Sequence, residues 1–218
     1  MANITVTMTD NRIGEDGSLW ESGTSYSATE AYARELVQFG WATATFEEPT
    51  LGWDDLRFPA QGINPPGPTG TPGRNTDDGL LDFDADATEM VAGVAQLPHS
   101  WLKASTIKPH VHLKYRNAAA GNSVWKFEYD IANVNGSWAG SYSPSTKTHT
   151  GPASTTKHAI LSFDEIDMTG YKESCCILWK LSRVGDDEAD TFAYDVALVE
   201  FDIHYIRGKD GTTYELPT

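Results

Sequence analysis

The chain has 218 residues, a formal net charge of −15 at neutral pH, and seven Trp and nine Tyr among its aromatic residues. This length suffices for one large domain plus a small module, and the aromatic content predicts a well-packed core. The acidic balance excludes nucleic acid as an expected partner, because phosphate binding needs clustered Lys and Arg, and no apolar run is long enough to span a membrane.

The cysteine pattern and the N-terminal residues indicate synthesis in a reducing compartment. The two cysteines, Cys175 and Cys176, are adjacent in the chain and cannot provide a disulfide framework. The first residues carry no basic region followed by an apolar stretch, which argues against a secretion signal. We therefore expect a protein that is made in the cytoplasm.

Residues 1–47 have the pattern of a small β-α-β module. Residues 4–8 alternate as a strand. Ser27, with a Glu three residues later, matches a capping box, which predicts Ser27 as the N-cap of a helix that Gly40 would end. Residues 41–46 would then leave the module as a strand or an extended segment.

Residues 48–78 interleave six Pro with five Gly. Such a segment does not form a regular helix or sheet interior, so it is either a flexible linker or an ordered, extended arm that lies along a neighbour. Trp53, Leu56 and Phe58 near its start would be wasted on a solvated tether. This favours a docked arm and makes the three residues candidates for partner binding.

From residue 79 to 218 the pattern is one of short strands separated by turns. A polar loop rich in Gly, Ser, Thr and Pro is predicted between two of them, at 135–156. About eight strands in this arrangement predict a jelly-roll-like antiparallel β-sandwich, so the chain as a whole is mainly β with a small N-terminal α+β module and an extended Pro/Gly-rich arm. The predicted strands span residues 80–84, 89–97, 107–116, 124–131, 158–163, 175–181 and 191–206, and the last of these ranges makes one or two strands.

The alternation over residues 107–116 is strict, and it places His110 and His112 on the polar face of one strand. Together with the alternating run at 124–131, after a short loop, it predicts an antiparallel hairpin. In that hairpin the basic stripe of the first strand would pair with the acidic residues of the second, which is an ordinary stabilising device in sheets.

A metal site is the alternative for the same histidines. A His-x-His pair on a β-strand can hold zinc or iron, as in cupins, with His99 as a third ligand and His204 as a remote fourth. The Glu that a cupin needs after the second His is missing from this sequence. We therefore predict no metal and no cofactor, and keep His99, His110 and His112 as the candidate ligands of the alternative.

Two loops carry the other candidate sites. In the loop at 135–156, Trp138 and Tyr142 would either stack on a sugar or be buried under the loop or at a subunit contact, so they join the candidate partner-binding residues. The acidic loop at 185–190 offers calcium-type ligands but lacks EF-hand spacing, and acidic hairpin tips are commonly just solvated. No nucleophile elbow, phosphate loop or zinc-protease motif occurs, which predicts that the chain is not an enzyme.

Six stretches of the sequence carry a resemblance: ITVT at 4–7, GEDGS at 14–18, GTSY at 23–26, DLRFP at 55–59, QLPHSW at 96–101 and IKPHVHL at 107–113. The first three resemble a small module on virion structural proteins of tailed bacteriophages, and the last three resemble β-sandwich proteins encoded among phage head and tail genes. The resemblance implies a non-enzymatic virion component, commonly a homotrimer, whose partners are the major capsid protein or other virion proteins. A capsid decoration (cement) protein fits best, and a head or tail fibre that binds a receptor is the alternative. The resemblance carries over no catalytic residues.

Overall fold

The computed structural model describes residues 3–44 and 52–208 of the chain. The chain divides into two compact units, the first ending at Thr50 and the second beginning at Leu51. Each unit has a buried apolar cluster of its own. The module boundary predicted after residue 47 lies outside the described residues.

The smaller unit is a three-stranded antiparallel sheet with one helix and one short hairpin. Its elements are β1 (Asn3–Met8), β2 (Arg12–Ile13), β3 (Leu19–Trp20), β4 (Ser25–Thr29), α1 (Glu30–Gln38) and β5 (Ala42–Ala44). The strand order in the sheet is β4–β1–β5, and β2 pairs with β3. The predicted first strand and helix are confirmed, whereas residues 45 and 46 of the predicted exit strand lie outside the described residues.

An aromatic stack fills the core of the smaller unit. Trp20 stacks on Tyr26 with ring centroids 4.7 Å apart, and the edge of Tyr32 meets it at 5.9 Å. Gly14 lies so close to this indole that a Cβ built at Gly14 would be 2.0 Å from Trp20 Cε2. A glycine is therefore required at this position by packing.

The helix begins two residues later than the capping pattern predicts. Thr29 is the N-cap, and its Oγ1 accepts a hydrogen bond from the backbone N–H of Tyr32 at 3.4 Å. Ser27 is still within β4, opposite Thr5 of β1, so its backbone is committed to the sheet. Gly40 has the positive φ of 74° expected after a helix. No helix in the described parts of the chain is long and apolar enough to cross a membrane.

The larger unit is a jelly-roll-like antiparallel β-sandwich, as predicted. One sheet has the order β13–β10–β15–β8–β7, with β6 also paired to β15, and the other has the order β12–β11–β14–β9. The strands are β6 (Gly52–Pro59), β7 (Gly73–Arg74), β8 (Leu81–Phe83), β9 (Thr88–Gln96), β10 (Ile107–Tyr115), β11 (Asn122–Ala132), β12 (Ser143–Thr150), β13 (Ala159–Ser162), β14 (Cys176–Val184) and β15 (Val196–Arg207).

The hairpin predicted between β10 and β11 is wrong. Strand β10 pairs with β13 and β15, whereas β11 pairs with β12 and β14, so the two strands belong to different sheets. The apolar faces of both strands contribute to the same buried cluster, which includes Val111 and Phe127. Alternation fixes which face of a strand is buried, but a strand that crosses to the opposite sheet shows the same pattern as a hairpin partner.

The Pro/Gly-rich segment predicted to be an arm or linker is part of the sandwich over the residues that the structure describes. Strand β6 pairs with β15 over its whole length, from Gly52 opposite Arg207 to Pro59 opposite Glu200. After β6, a 3-10 turn at Ala60–Gly62 and the short β7 follow, and Ala60 is fully buried. Strand β6 has this one pairing partner within the described residues, which makes it an edge strand and accounts for its proline.

The loop predicted at residues 135–156 contains a strand that the pattern does not reveal. Strand β12 pairs with β11 along its length and forms an edge of its sheet. Its more buried positions are occupied by Ser145, Lys147 and His149. Burial alternates along β12, but the inward-facing side chains are as polar as the outward-facing ones. The sequence therefore shows no alternation of apolar and polar residues from which the strand could be predicted.

Candidate functional site

A bulge in β15 places a group of ligand-type side chains on the outer face of the larger sheet. The register between β10 and β15 shifts between His112 and Leu113, so that Val199 is an extra residue on β15. Leu198 before the bulge and Phe201 after it are both fully buried core residues. Side chains alternate between the two faces of a strand, so without the extra residue Asp202 and His204 would point into the core.

Two histidines and one aspartate meet on that face. His110 and Asp202 lie opposite each other in the β10–β15 register, and His110 Nε2 is 2.6 Å from Asp202 Oδ1. His112 Nε2 is 3.1 Å from His110 Nε2 and 3.2 Å from Asp202 Oδ2. The side chains of His110 and Asp202 are only 6% and 5% exposed and that of His112 is 18% exposed, so the three polar groups converge with limited access to water.

Three further side chains surround this trio. His204 lies on the same face, with its ring centroid 4.0 Å from that of His110, and ligand atoms of His110, Asp202 and His204 all lie within 4.8 Å of one another. His204 Nε2 is held by Asp55 Oδ1 of β6 at 2.9 Å. His158, just before β13, places its Nε2 2.6 Å from His112 Nδ1. We call these six residues the histidine cluster.

The two central imidazoles differ in their readiness to take a proton. Burial is the largest influence at His110 and disfavours its charge, but the hydrogen bond and charge of Asp202, together with a backbone hydrogen bond at Lys108, outweigh burial and raise the pKa of His110. Burial is also the largest influence at His112 and, with the positive charge of His110, lowers the pKa of His112 despite Asp202. A proton on the pair is therefore favoured on His110.

The predicted ligand set for a metal is only partly brought together. His110 and His112 share a face, as the alternation predicts, and His204 joins them. His99 is not part of the cluster, and its Nε2 lies 2.9 Å from Ser174 Oγ. Sequence reasoning missed Asp202 as a ligand, although it stands two residues from His204 on the polar face of an alternating strand.

The cluster does not have the placement of a cupin site. The core-facing residues of β10, such as Val111 and Leu113, point between the two sheets. His110 and His112 point the other way, to the outside of the sandwich. The cupin-like alternative, with its metal inside a barrel, is therefore not supported by this arrangement.

The candidate partner-binding residues near the cluster have different environments. Leu56 and Phe58 pack against the sandwich core, with the Phe58 ring 5.2 Å from that of Trp179. Trp53 is 51% exposed, with Lys108 Nζ 5.0 Å from its ring centroid. Of these three, Trp53 offers a large free surface next to the histidine cluster.

The loop residues also separate into one exposed and one covered side chain. Trp138 is 43% exposed on the loop between β11 and β12, and Tyr142 is partly covered by Lys180, whose Nζ lies 3.9 Å from its ring centroid. Asp130 holds the loop by accepting hydrogen bonds from the backbone N–H groups of Ala139 and Gly140 at 3.2 and 3.1 Å. Trp138 is thus presented on a loop that is tied to the sheet.

The acidic loop at 185–190 uses its carboxylates within the fold. Asp190 is fully buried and forms an ion pair with Arg183, while Asp186 accepts a hydrogen bond from Thr88 Oγ1. Asp187 Oδ1 accepts from the backbone N–H of Ala189 at 2.8 Å. Asp190 is therefore not available as a calcium ligand, because its carboxylate already neutralises the buried guanidinium of Arg183.

An exposed apolar pair lies on the hairpin of the smaller unit. Ile13 of β2 and Leu19 of β3 are directly paired across the strands and are 61% and 55% exposed. Phe39, after the helix, is 56% exposed. Large apolar side chains this exposed at paired positions form a surface that a partner can cover.

No family model matches the chain, and no curated protein is significantly similar to it. Solved structures similar to it include the CBM36-1 domain of a multidomain xylanase from the hindgut metagenome of Trinervitermes trinervoides, at 11% identity and a TM-score of 0.40, covering 73% of this chain and all of that one. An isomalto-dextranase of Arthrobacter globiformis T6 has 12% identity, a TM-score of 0.42 and coverages of 93% and 33%. The infectious bursal disease virus Gx strain structure has 7% identity, a TM-score of 0.36 and coverages of 78% and 36%.

Proposed function

We propose that this chain is a non-enzymatic structural protein of a bacteriophage virion, and specifically a capsid decoration protein that binds the outer surface of the shell and stabilises it. Its partners are the major capsid protein and further copies of the chain, as a homotrimer. The proposal draws on the resemblance described above, on the acidic composition and on the division into a small unit and a β-sandwich. Many identical copies around symmetry axes add avidity to a contact that is weak in one copy.

The observation that carries the proposal is the exposed Ile13–Leu19 pair. It stands on a unit with its own buried core, so that unit can serve as an anchor while the β-sandwich projects from the particle. Covering two such side chains contributes about 1.5–3 kcal/mol each when burial is complete. Two side chains contribute too little to hold a single copy, so stable attachment requires many copies of the chain on one particle.

The test is co-sedimentation of the purified chain with capsids that lack it, alongside its mass by light scattering. Saturable binding of a trimer at many copies per shell is expected. The double variant Ile13→Ser/Leu19→Ser should bind much more weakly. Val94→Ser, which changes a residue of β9 that is 55% exposed on the larger unit, is the matched control and should bind as the wild type does.

Deletion variants for the same assay should end at residue 50. A deletion that extends to residue 78 also removes β6, which pairs with β15 along its length, and would damage the sandwich itself. Absence of any capsid binding by the intact chain would overturn the decoration function. Binding that survives both the deletion of 1–50 and the Ile13/Leu19 substitutions would overturn the anchor.

A head or tail fibre that binds a receptor is the second candidate, favoured by the exposure of Trp138 on a tethered loop. Tryptophan at such a position can stack on a sugar ring. Loss of adsorption to host cells in Trp138→Ala, with Tyr194→Ala as the control for an equally exposed aromatic side chain, would support this function. Normal adsorption by phage that lack the protein would exclude an essential receptor role.

A further inference from the structure

We propose that the histidine cluster is a binding site for one divalent transition-metal ion of the zinc class. The ligands are His110, His112, Asp202 and His204, which come from two adjacent strands of one sheet. The ion joins β10 to β15 on the outer face of the sandwich. This inference does not depend on the proposed attachment to a capsid.

The spacing of the donor atoms carries the proposal. His110 Nε2 lies 3.1 Å from His112 Nε2 and 2.6 Å from Asp202 Oδ1, and His112 Nε2 lies 3.2 Å from the other carboxylate oxygen, Asp202 Oδ2. A tetrahedral zinc ion with bonds of about 2.0–2.1 Å holds its ligand atoms about 3.3 Å apart. The three groups therefore need to open by only a few tenths of an ångström on two of the edges, and somewhat more between His110 and Asp202.

The outer contacts of His112 and His204 each occupy one ring nitrogen and leave the other nitrogen for the ion. His158 engages Nδ1 of His112, which leaves Nε2 to face the centre, where it is found. Asp55 engages Nε2 of His204 and leaves Nδ1 to bind. Metal-binding histidines typically have their second nitrogen fixed by a carboxylate, a carbonyl or a similar group, which sets both the tautomer and the ring orientation.

The chemistry of the donors selects the class of ion. Three imidazoles and one carboxylate suit Zn²⁺, Co²⁺ or Ni²⁺, whereas Ca²⁺ and Mg²⁺ require oxygen ligands. His204 offers a ligand atom within 4.8 Å of those of His110 and Asp202, so it has to approach by up to about 1.5 Å for the four side chains to form a tetrahedral shell. A shell of four protein ligands is the composition of a structural site, whereas catalytic zinc keeps one position for water. The site therefore strengthens the sheet and adds no catalytic function.

The competing explanation for the short distances is a proton shared between the two imidazoles. With His110 protonated and His112 neutral, one N–H would point at the facing nitrogen, and Asp202 would balance the charge. This explanation predicts no selective affinity for Zn²⁺. Metal titration therefore separates the two.

The experiment uses the full chain, purified without a histidine tag and treated with a chelator that is then removed. Zn²⁺ is titrated by calorimetry, and Co²⁺ by its visible absorption, whose intensity reports tetrahedral coordination. We expect one ion per chain with a dissociation constant for Zn²⁺ below about 1 μM, as is found for structural zinc sites in which metal binding is coupled to folding. Ca²⁺ and Mg²⁺ should give no saturable binding to the cluster.

Variants assign the ion to these residues. His112→Gln and His204→Gln change side chains that are 18% and 36% exposed, so the fold should tolerate them, and each should weaken Zn²⁺ binding at least 100-fold. Asp55→Asn, which removes an orienting contact, should weaken it about 10- to 100-fold. His99→Gln and His149→Gln, outside the cluster, are the matched controls and should leave binding unchanged.

Three results would overturn the proposal. The first is a wild-type chain that binds Zn²⁺ no better than His112→Gln does, which would leave the shared proton as the explanation. The second is tight binding that persists in the double variant His112→Gln/His204→Gln. The third is binding that is lost in the His99 control, since the ion would then be held elsewhere. A circular-dichroism spectrum of each variant confirms that it is folded before it is titrated.

Discussion

Replacing Asp190 by Ala should strongly destabilise the β-sandwich, because it would leave a buried guanidinium without its counter-charge. Arg183 Nε and Nη2 donate to the two oxygens of Asp190 at 3.0 and 2.8 Å, and both side chains are 0% exposed. The remaining N–H groups donate to the carbonyl oxygens of Phe83, Phe192 and Tyr194 at 3.1, 2.6 and 2.8 Å. All five donors of Arg183 are therefore used.

The size of the effect follows from these contacts. The substitution removes both acceptors of the carboxylate and the negative charge that is in direct contact with Arg183. It also removes the partner of the Val124 backbone N–H, which donates to Asp190 Oδ2 at 2.9 Å. Removing one member of a buried pair costs about 3–5 kcal/mol. That is a large share of the 5–15 kcal/mol by which a domain is typically stable.

The assay should report on the sandwich alone, and Cys175 allows this. The side chain is buried in the larger unit, and burial raises the pKa of Cys175 to about 12, so the thiol reacts only after unfolding. In a Cys176→Ser background, the rate of thiol labelling at fixed urea then measures the unfolded fraction. A loss of 3–5 kcal/mol corresponds to labelling about 100- to 4,000-fold faster, until the intrinsic rate is reached.

The controls distinguish the buried pair from ion pairs in general. Arg57→Met removes a bidentate pair with Glu200 in which the Arg57 side chain is 64% exposed, and it should leave the labelling rate close to that of the wild type. Arg183→Met/Asp190→Leu, which replaces both charges by apolar groups, should be more stable than Asp190→Ala. If Asp190→Ala labels at nearly the wild-type rate, then Asp190 does not neutralise a buried Arg183 and the reasoning is refuted.

Three further predictions concern single residues. Gly14→Ala should unfold the smaller unit selectively, because the new Cβ would collide with Trp20, and near-UV circular dichroism should show this while Cys175 stays protected. Thr29→Ala should lower the stability of the smaller unit by about 0.5–2 kcal/mol in urea unfolding, whereas Ser27→Ala should have little effect, since Thr29 is the N-cap. Burial lowers the pKa of His149, so below pH about 6.5, the ordinary pKa of histidine, the unfolded chain binds more protons than the folded chain. The free energy of unfolding should therefore fall as the pH drops through that range. If the urea midpoint of His149→Gln depends on pH as that of the wild type does, this prediction is contradicted.

The alternation of β10 predicted the faces of its side chains correctly and their partners incorrectly. The alternation of side chains with a period of two predicts that His110 and His112 lie on the same face of β10, and they do. It contains no information on which strand lies alongside, so Asp202, which faces His110, could not be identified from the spacing of the histidines. The bulge at Val199 adds a second obstacle, since one extra residue decides whether Asp202 faces outward or into the core.

Composition is a poor guide to structure at two other points of the chain. Pro and Gly in residues 48–78 predicted an arm, but a strand at a sheet edge tolerates proline, and β6 is such a strand. Strand β12 was hidden because Ser145 and His149 fill positions that face inward. At both points the contacts made by the rest of the chain outweigh the local preference, and these contacts cannot be read from a short window of sequence.

Strand β15 pairs with β6, β8 and β10, all of which precede it in the chain. During translation these three strands leave the ribosome long before residues 196–207 are made, so the six-stranded sheet cannot assemble until that late segment appears. The smaller unit has its sheet and helix complete by Ala44 and can fold while the remainder is still being synthesised. A premature stop before residue 196 would therefore release a chain in which the smaller unit is folded, β6 has no partner strand among the described residues, and β8 and β10 each have one exposed edge. Exposed strand edges of this kind promote aggregation.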